Sequence, residues 1–218
     1  LEIATQASAH TALERVRNGF FTVRGGHRIG ICGSGVVRDG EVRNLRQLSS
    51  LAIRVAREVP GLSAAVLDRL WSGGVLQSTL LLSPPGGGKT TLLRSLVQKL
   101  CEGDALVSVI DERGELMACE AGSLPRAAQI RCDVYVRCTK AEGIAMALRC
   151  MNPQVIVCDE LGTPGDAEAV AQGVASGVVF FATAHCDDPA GLRKKPALTA
   201  LLDTGAFAKA AFLSGRSR

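Results

Sequence analysis

The sequence predicts an α/β protein, an open and mostly parallel sheet built around a phosphate-binding loop and preceded by a small β-rich (α+β) unit. Three observations carry that expectation. The first is the stretch Leu80-Leu81-Leu82-Ser83-Pro84-Pro85-Gly86-Gly87-Gly88-Lys89-Thr90-Thr91-Leu92-Leu93, in which an apolar run meets a glycine-rich turn and then a Leu-patterned segment. That is the order of strand, phosphate loop and helix in a P-loop. The second is the pattern from Gln77 onward, where short, nearly continuous apolar runs alternate with helical segments, as buried parallel strands require. The third is composition: 47% of the 218 residues are hydrophobic but only 4% are aromatic. Such a core rests on Val, Leu, Ile and Ala, which suits α/β layers better than an aromatic-rich sandwich.

Taken in order, residues 1–18 are weakly helical and end at Asn18-Gly19, a stop signal. Phe20-Phe21-Thr22-Val23-Arg24 reads as a strand, Gly25-Gly26 as a turn and His27-Arg28-Ile29-Gly30-Ile31-Cys32 as its hairpin partner. Asp39-Gly40 marks a second hairpin between Val36-Val37 and Glu41-Val42-Arg43. The run at 50–55 fits strand or helix, because short apolar runs do not separate the two. Val59-Pro60-Gly61 is the expected boundary, giving an N-terminal domain over 1–61 and a nucleotide-binding domain over 62–218. The first residue is Leu1 and not Met, so the N-terminal domain is expected to lack its start. Beyond the boundary, 64–70 reads as a helix closed by Ser72-Gly73-Gly74. Strands come next at 79–82, 105–110, 154–158 and 178–183, with helices at 92–100, 141–151 and 166–175. The nucleotide belongs at the carboxyl ends of those strands.

Charge and cysteine usage narrow the class. A net charge of +4 is too small for a dedicated nucleic-acid coat, and the basic tail Arg216-Ser217-Arg218 is too short to count, so no stable nucleic-acid binding is expected. Eight cysteines show no CxxC pair and no zinc-like spacing, and several sit in apolar runs, as reduced core thiols do. No run approaches the roughly 20 apolar residues of a bilayer span and no signal segment opens the chain, so the expected location is cytoplasmic.

Chemistry is expected at the strand ends. Pro85, Gly86, Gly87 and Gly88, with Lys89, Thr90 and Thr91, form the candidate ATP cradle, in which small residues let backbone N–H groups turn inward around a phosphate. Lys89 would meet the β and γ phosphates and the Thr90 hydroxyl would ligate Mg²⁺. Ser83 stands where the usual pattern has glycine, a small loss of backbone freedom. The strand Val155-Ile156-Val157-Cys158 ends in Asp159-Glu160, placing Asp159 for the Mg²⁺ shell and Glu160 to orient or deprotonate water. Val109-Ile110-Asp111-Glu112-Arg113 closes another strand with acids. Asp111 and Glu112 are therefore either catalytic candidates or a solvated acidic loop whose ion pairs contribute little. His185, at the end of Phe180-Phe181-Ala182-Thr183-Ala184-His185, is a candidate γ-phosphate sensor. His27 and Arg28 fit a structural turn, with Arg28 a further candidate for a phosphate across a boundary.

Across its whole length the chain resembles the stage III sporulation protein AA family, ATPases related to type II and type IV secretion motors. The resemblance lies in Gly25-Gly26-His27-Arg28-Ile29-Gly30, in Ile53-Arg54-Val55-Ala56-Arg57-Glu58-Val59-Pro60-Gly61 and in Lys140-Ala141-Glu142-Gly143. It continues through Arg149-Cys150-Met151-Asn152-Pro153, Cys158-Asp159-Glu160-Leu161-Gly162 and Thr183-Ala184-His185. It implies a RecA-like ATPase core behind a small N-terminal domain and a ring-shaped homo-oligomer, expected to be a hexamer. It also implies action at the mother-cell face of the channel joining mother cell and forespore, with membrane channel proteins as partners. Lys195 and Lys209 stand where the family leads one to expect Arg, which puts an arginine supplied by a neighbouring subunit in doubt. The leading expectation is an Mg²⁺-dependent ATP hydrolase. The competing one is a nucleotide-controlled binding module, a channel scaffold or nucleic-acid-associated protein with little turnover.

Overall fold

The computed structural model describes residues 19–23, 27–55, 68–117 and 131–213. These residues fall into two units, divided between 55 and 68. The expected helix at 1–18, the Gly25-Gly26 turn, the boundary at 59–61, residues 64–67 and the tail from 214 lie outside the described residues.

The N-terminal unit is an antiparallel sheet in the order β1 (Phe20–Val23), β2 (His27–Arg38), β3 (Glu41–Arg54). Asp39 and Gly40 turn the chain with φ of 54° and 78°, both left-handed, as a two-residue hairpin turn demands. The ambiguous run at 50–54 is strand: Leu51 pairs with Ile31 and Ile53 with Ile29, so long-range pairing decided what the local sequence left open. Arg28 stacks over the Phe20 ring, 3.5 Å from its centroid, which gives it a partner within this unit.

The second unit opens with a short hairpin, β4 (Trp71–Ser72) and β5 (Val75–Leu76), turned by Gly73-Gly74. The glycines therefore close a hairpin and not simply the helical turn at 68–70. The central sheet has six strands, all paired in parallel, in the order β11-β6-β10-β9-β7-β8. In sequence these are β6 (Thr79–Ser83), β7 (Val107–Asp111), β8 (Cys132–Val136), β9 (Val155–Cys158), β10 (Val179–His185) and β11 (Lys209–Phe212). The helices are α1 (Lys89–Leu100), α2 (Lys140–Cys150), α3 (Pro164–Ala175) and α4 (Pro196–Asp203), with a 3₁₀ turn at Pro189–Lys194.

Sheet alternation splits the core. Leu80, Leu82, Ile110, Ile156 and Phe180 pack with Ile144 of α2, Val170 of α3 and Leu198 of α4. The intervening residues Leu81, Val109, Val157 and Phe181 point the other way. On that side α1 packs on β6 and β10, burying Leu92, Leu93, Leu96 and Val97. Each fully buried Leu or Phe contributes about 1.5–3 kcal/mol, so strands apolar on both faces are held firmly from both sides. Threonine caps fix where two helices begin: Thr139 accepts from Glu142 N and Thr163 from Asp166 N, each in a capping box. The consequence for function is positional. The carboxyl ends of β6, β7, β9 and β10 lie side by side, and α1 starts directly after the loop that leaves β6.

Candidate functional site

The loop between β6 and α1 turns on two glycines. Gly86 and Gly88 have φ of 76° and 91°, the left-handed region where a side chain is strained, and Gly88 is the N-cap of α1. Ser83 is not among the residues of positive φ: it is the last residue of β6, so the strand end needs no glycine. Its cost falls on Gly87, where an added Cβ would lie 2.3 Å from Ser83 Oγ. Ser83 also contributes a ligand, since Lys89 Nζ donates to Ser83 O at 3.0 Å, Ser83 Oγ at 3.1 Å and Pro84 O at 3.2 Å. The Lys89 side chain is buried and its pKa is lowered, chiefly by desolvation, against the opposing pull of Asp159 and Glu160.

Two contacts tie this loop to the acidic end of β9. Thr90 Oγ1 donates to Asp159 Oδ2 at 2.8 Å. Lys89 Nζ lies 3.0 Å from His185 Nδ1, and His185 Nε2 lies 3.0 Å from Glu160 Oε1. With Nδ1 accepting from an ammonium, those partners assign the proton to Nε2. His185 thus connects the loop lysine to Glu160. The second Glu160 oxygen pairs with Arg113. Glu160 itself has φ 52°, rare outside glycine, and its N–H donates to Thr183 Oγ1 at 2.8 Å.

The acids ending β7 are used differently. Asp111 is 3% exposed, and its carboxylate accepts from the N–H groups of Glu115 at 2.9 Å, Leu116 at 3.0 Å and Met117 at 2.8 Å. Burial raises its pKa, and those three donors work against the rise. Three backbone N–H groups thus hold its carboxylate on the adjoining turn. Glu112 pairs with Lys140, the first residue of α2. A small cavity whose lining includes Asp111, Glu112, Arg113, Lys140, Asp159 and Glu160 lies between the two acidic strand ends.

Sequence reasoning missed Arg94, whose Nε donates to Leu116 O at 2.8 Å and whose Nη2 donates to Glu115 O at 2.7 Å. Arg94 is on α1, so the phosphate-loop helix grips the turn that carries Glu112 and Arg113. No sequence signal marks this pairing, because it spans 22 residues and ends on backbone carbonyls. Lys195 Nζ donates to His185 O at 3.0 Å, and Lys209 Nζ to the carbonyls of Arg69 and Trp71. Both lysines have backbone partners within their own unit.

The hydroxyl of Thr90 beside the carboxylate of Asp159 is a hard-oxygen pair that fits Mg²⁺. Among the described residues no group of three or more His, Cys, Asp or Glu forms a metal cage. Mg²⁺ held by one or two protein oxygens together with phosphates and water needs none. Among the described residues no helix is long and apolar enough to cross a membrane.

A family model described as "Sporulation stage III, protein AA" matches residues 1–217. The chain is 36% identical over 205 residues to Stage III sporulation protein AA of Bacillus subtilis (strain 168), spanning 92% of this chain and 66% of that protein. It is 30% identical over 170 residues to Protein SEEDLING PLASTID DEVELOPMENT 1 of Arabidopsis thaliana, spanning 76% of this chain and 24% of that protein. Among solved structures, the Legionella pneumophila ATPase DotB superposes with a TM-score of 0.52 at 17% identity, over 80% of this chain and 46% of that one. That likeness is one of fold, and it agrees with the expected RecA-like α/β core.

Proposed function

The chain belongs to the Sporulation stage III, protein AA family, and we propose that it is an Mg²⁺-dependent ATP hydrolase of the secretion-motor type. The observation that carries the proposal is the pair of links from the phosphate loop to the end of β9, Thr90 to Asp159 and Lys89 through His185 to Glu160. Mg²⁺, when bound, would neutralise charge on the β and γ phosphate oxygens. Thr90 and Asp159 would hold it. The N–H groups of residues 86–91 and the positive end of α1 would receive the phosphates, with Lys89 moving from the loop carbonyls onto phosphate oxygen. Glu160 would take a proton from the attacking water as the new P–O bond forms and the bond to ADP breaks. His185 would report the position of Lys89 to Glu160, and with it the state of the phosphate.

At the level of the assembly, the proposal is a ring, taken to be a hexamer, that works in the mother-cell cytoplasm on membrane channel proteins. A long two-stranded ribbon, β2 with β3, belongs to the N-terminal unit, which is proposed as a domain over 1–61 ahead of the ATPase domain over 62–218. Lys195 and Lys209 are engaged on backbone carbonyls, so neither is proposed to complete a neighbouring site.

One observation favours the second reading, a nucleotide-controlled module with little turnover: both Glu160 oxygens are engaged, by Arg113 and by His185. Glu160→Gln decides between them. A hydrolase keeps its nucleotide affinity in this variant and loses turnover by about 10²–10⁴-fold. Unchanged turnover removes Glu160 as the base, and a wild-type chain that binds ATP without releasing phosphate selects the module.

A further inference from the structure

Thr90 links the phosphate loop to Asp159, but a second hydroxyl holds Asp159 from the other side. Thr183 lies on β10, one residue past the paired Ala182 and Cys158, and is fully buried. Its Oγ1 donates to Asp159 Oδ1 and accepts from Glu160 N at 2.8 Å. Its carbonyl accepts from Leu161 N at 2.8 Å. A hydroxyl has one proton to give, so donation to Asp159 and acceptance from Glu160 together fix its rotor.

Both the aspartate and the turn beyond it depend on these bonds. A carboxylate turns freely about its last torsion unless something holds it, and here Oδ1 accepts from Thr183 Oγ1 and from Glu160 N at 3.0 Å while Oδ2 meets Thr90. The plane of Asp159 is thereby set between α1 and β10. Glu160 sits at φ 52°, a conformation that persists in a non-glycine residue only where surroundings over-determine it. Thr183 supplies two of those restraints, since the N–H groups of Glu160 and Leu161 both donate to it, beside the Glu160 N–H bond to Asp159 Oδ1 at 3.0 Å and the Arg113 and His185 contacts of the Glu160 carboxylate.

We propose that Thr183 is a positioning residue that orients Asp159 toward Mg²⁺ and fixes the backbone turn carrying Glu160, without itself touching nucleotide or metal. The assignment rests on the ATPase reading and names the residue that orients its metal ligand. A purely structural threonine would affect stability and all binding alike. A positioning threonine affects the contribution of the metal.

The test is equilibrium binding of a fluorescent ADP analogue to the full chain, once with Mg²⁺ and once with EDTA, with thermal melts on the same samples. Thr183→Val is expected to weaken binding in Mg²⁺ by about 10–100-fold, as loss of a residue supporting a metal ligand does, and to leave binding in EDTA unchanged. Thr183→Ser keeps the hydroxyl and should match wild type. If the valine variant does not fold, Thr183→Cys, a weaker donor of similar size, supplies the same comparison and should lie between the two. Equal loss with and without Mg²⁺, no loss at all, or a serine variant that fails like valine overturns the assignment. A wild-type chain that gains affinity from Mg²⁺ while Thr183→Val gains the same sinks Thr183 alone. A wild-type chain that binds under neither condition sinks the ATPase reading and Thr183 with it.

Discussion

Strands β7 and β9 are neighbours that each run out into an Asp-Glu dipeptide, and the structure uses the two pairs differently. They run parallel with Ile110 opposite Cys158, so Asp111-Glu112 and Asp159-Glu160 leave the sheet side by side. Asp111 turns its carboxylate onto three backbone N–H groups, whereas Asp159 turns Oδ2 to Thr90 of the phosphate-loop helix. The backbone just beyond each pair makes the difference. After Glu112, Arg113 and Gly114, the latter at φ 67°, bring the N–H groups of 115–117 back onto Asp111, and Arg94 holds the turn's carbonyls. After Asp159 the turn is made by Glu160 itself, and the next N–H, that of Leu161, goes to Thr183. The succeeding backbone takes both oxygens of Asp111 but only Oδ1 of Asp159, where Glu160 N donates at 3.0 Å, and so leaves Oδ2 to Thr90.

The sharpest way to break this comparison is to remove each aspartate. Asp159→Ala should lose Mg²⁺-dependent phosphate release by about 100-fold or more with little change in melting temperature. Asp111→Ala should do the reverse: stranded N–H groups cost about 3 kcal/mol, or roughly 10 °C in a chain of this size. Phosphate-release assays and thermal melts on both variants check it, and matching behaviour of the two would abolish the distinction.

The glutamates give the next largest contrast. Glu160→Gln is expected to lose turnover by about 10²–10⁴-fold and Glu112→Gln by about tenfold at most, since Glu112 is tied to Lys140. An equal or greater loss in Glu112→Gln moves the base to β7. Smaller again is Arg94→Lys, which replaces a two-pronged donor by a point charge. It should cost about 2 kcal/mol, near 6 °C, read by thermal melting. Smallest is Arg113→Ala: its side chain is 51% exposed, so the pair with Glu160 contributes about 1 kcal/mol or less to stability. A drop beyond about 4 °C would show that Arg113 is structural.

Much of this was legible from the chain alone, wherever local pattern and burial agree. β6, β7, β9 and β10 are apolar on both faces and read as strands, and the loop glycines announce the turn before α1. The edge strands were not legible. β8, Cys132-Asp133-Val134-Tyr135-Val136, is broken by an acid, and β11, Lys209-Ala210-Ala211-Phe212, is short and Ala-rich. Each is a strand because a neighbour supplies pairing, Val109 opposite Val134 and Leu80 opposite Ala210. Pro196–Asp203 likewise gave too short a pattern to stand out as a helix. At the site, residue types and strand ends were readable. Carboxylate orientation was not, because it depends on the φ of Glu160, on Thr183 from another strand and on Arg94 from a helix. Ser83 shows the same limit from the other side: the glycine pattern made it a defect, yet an extended strand end tolerates it and Lys89 uses it.

The most direct test of the central claim is Mg²⁺-dependent phosphate release measured against protein concentration, with Lys89→Ala as the blank and a sizing column run on the same samples. The account predicts release above the blank whose specific activity rises with concentration as a ring-sized species appears. Release that stays at the blank level at every concentration, with the ring formed and ATP bound, would contradict it.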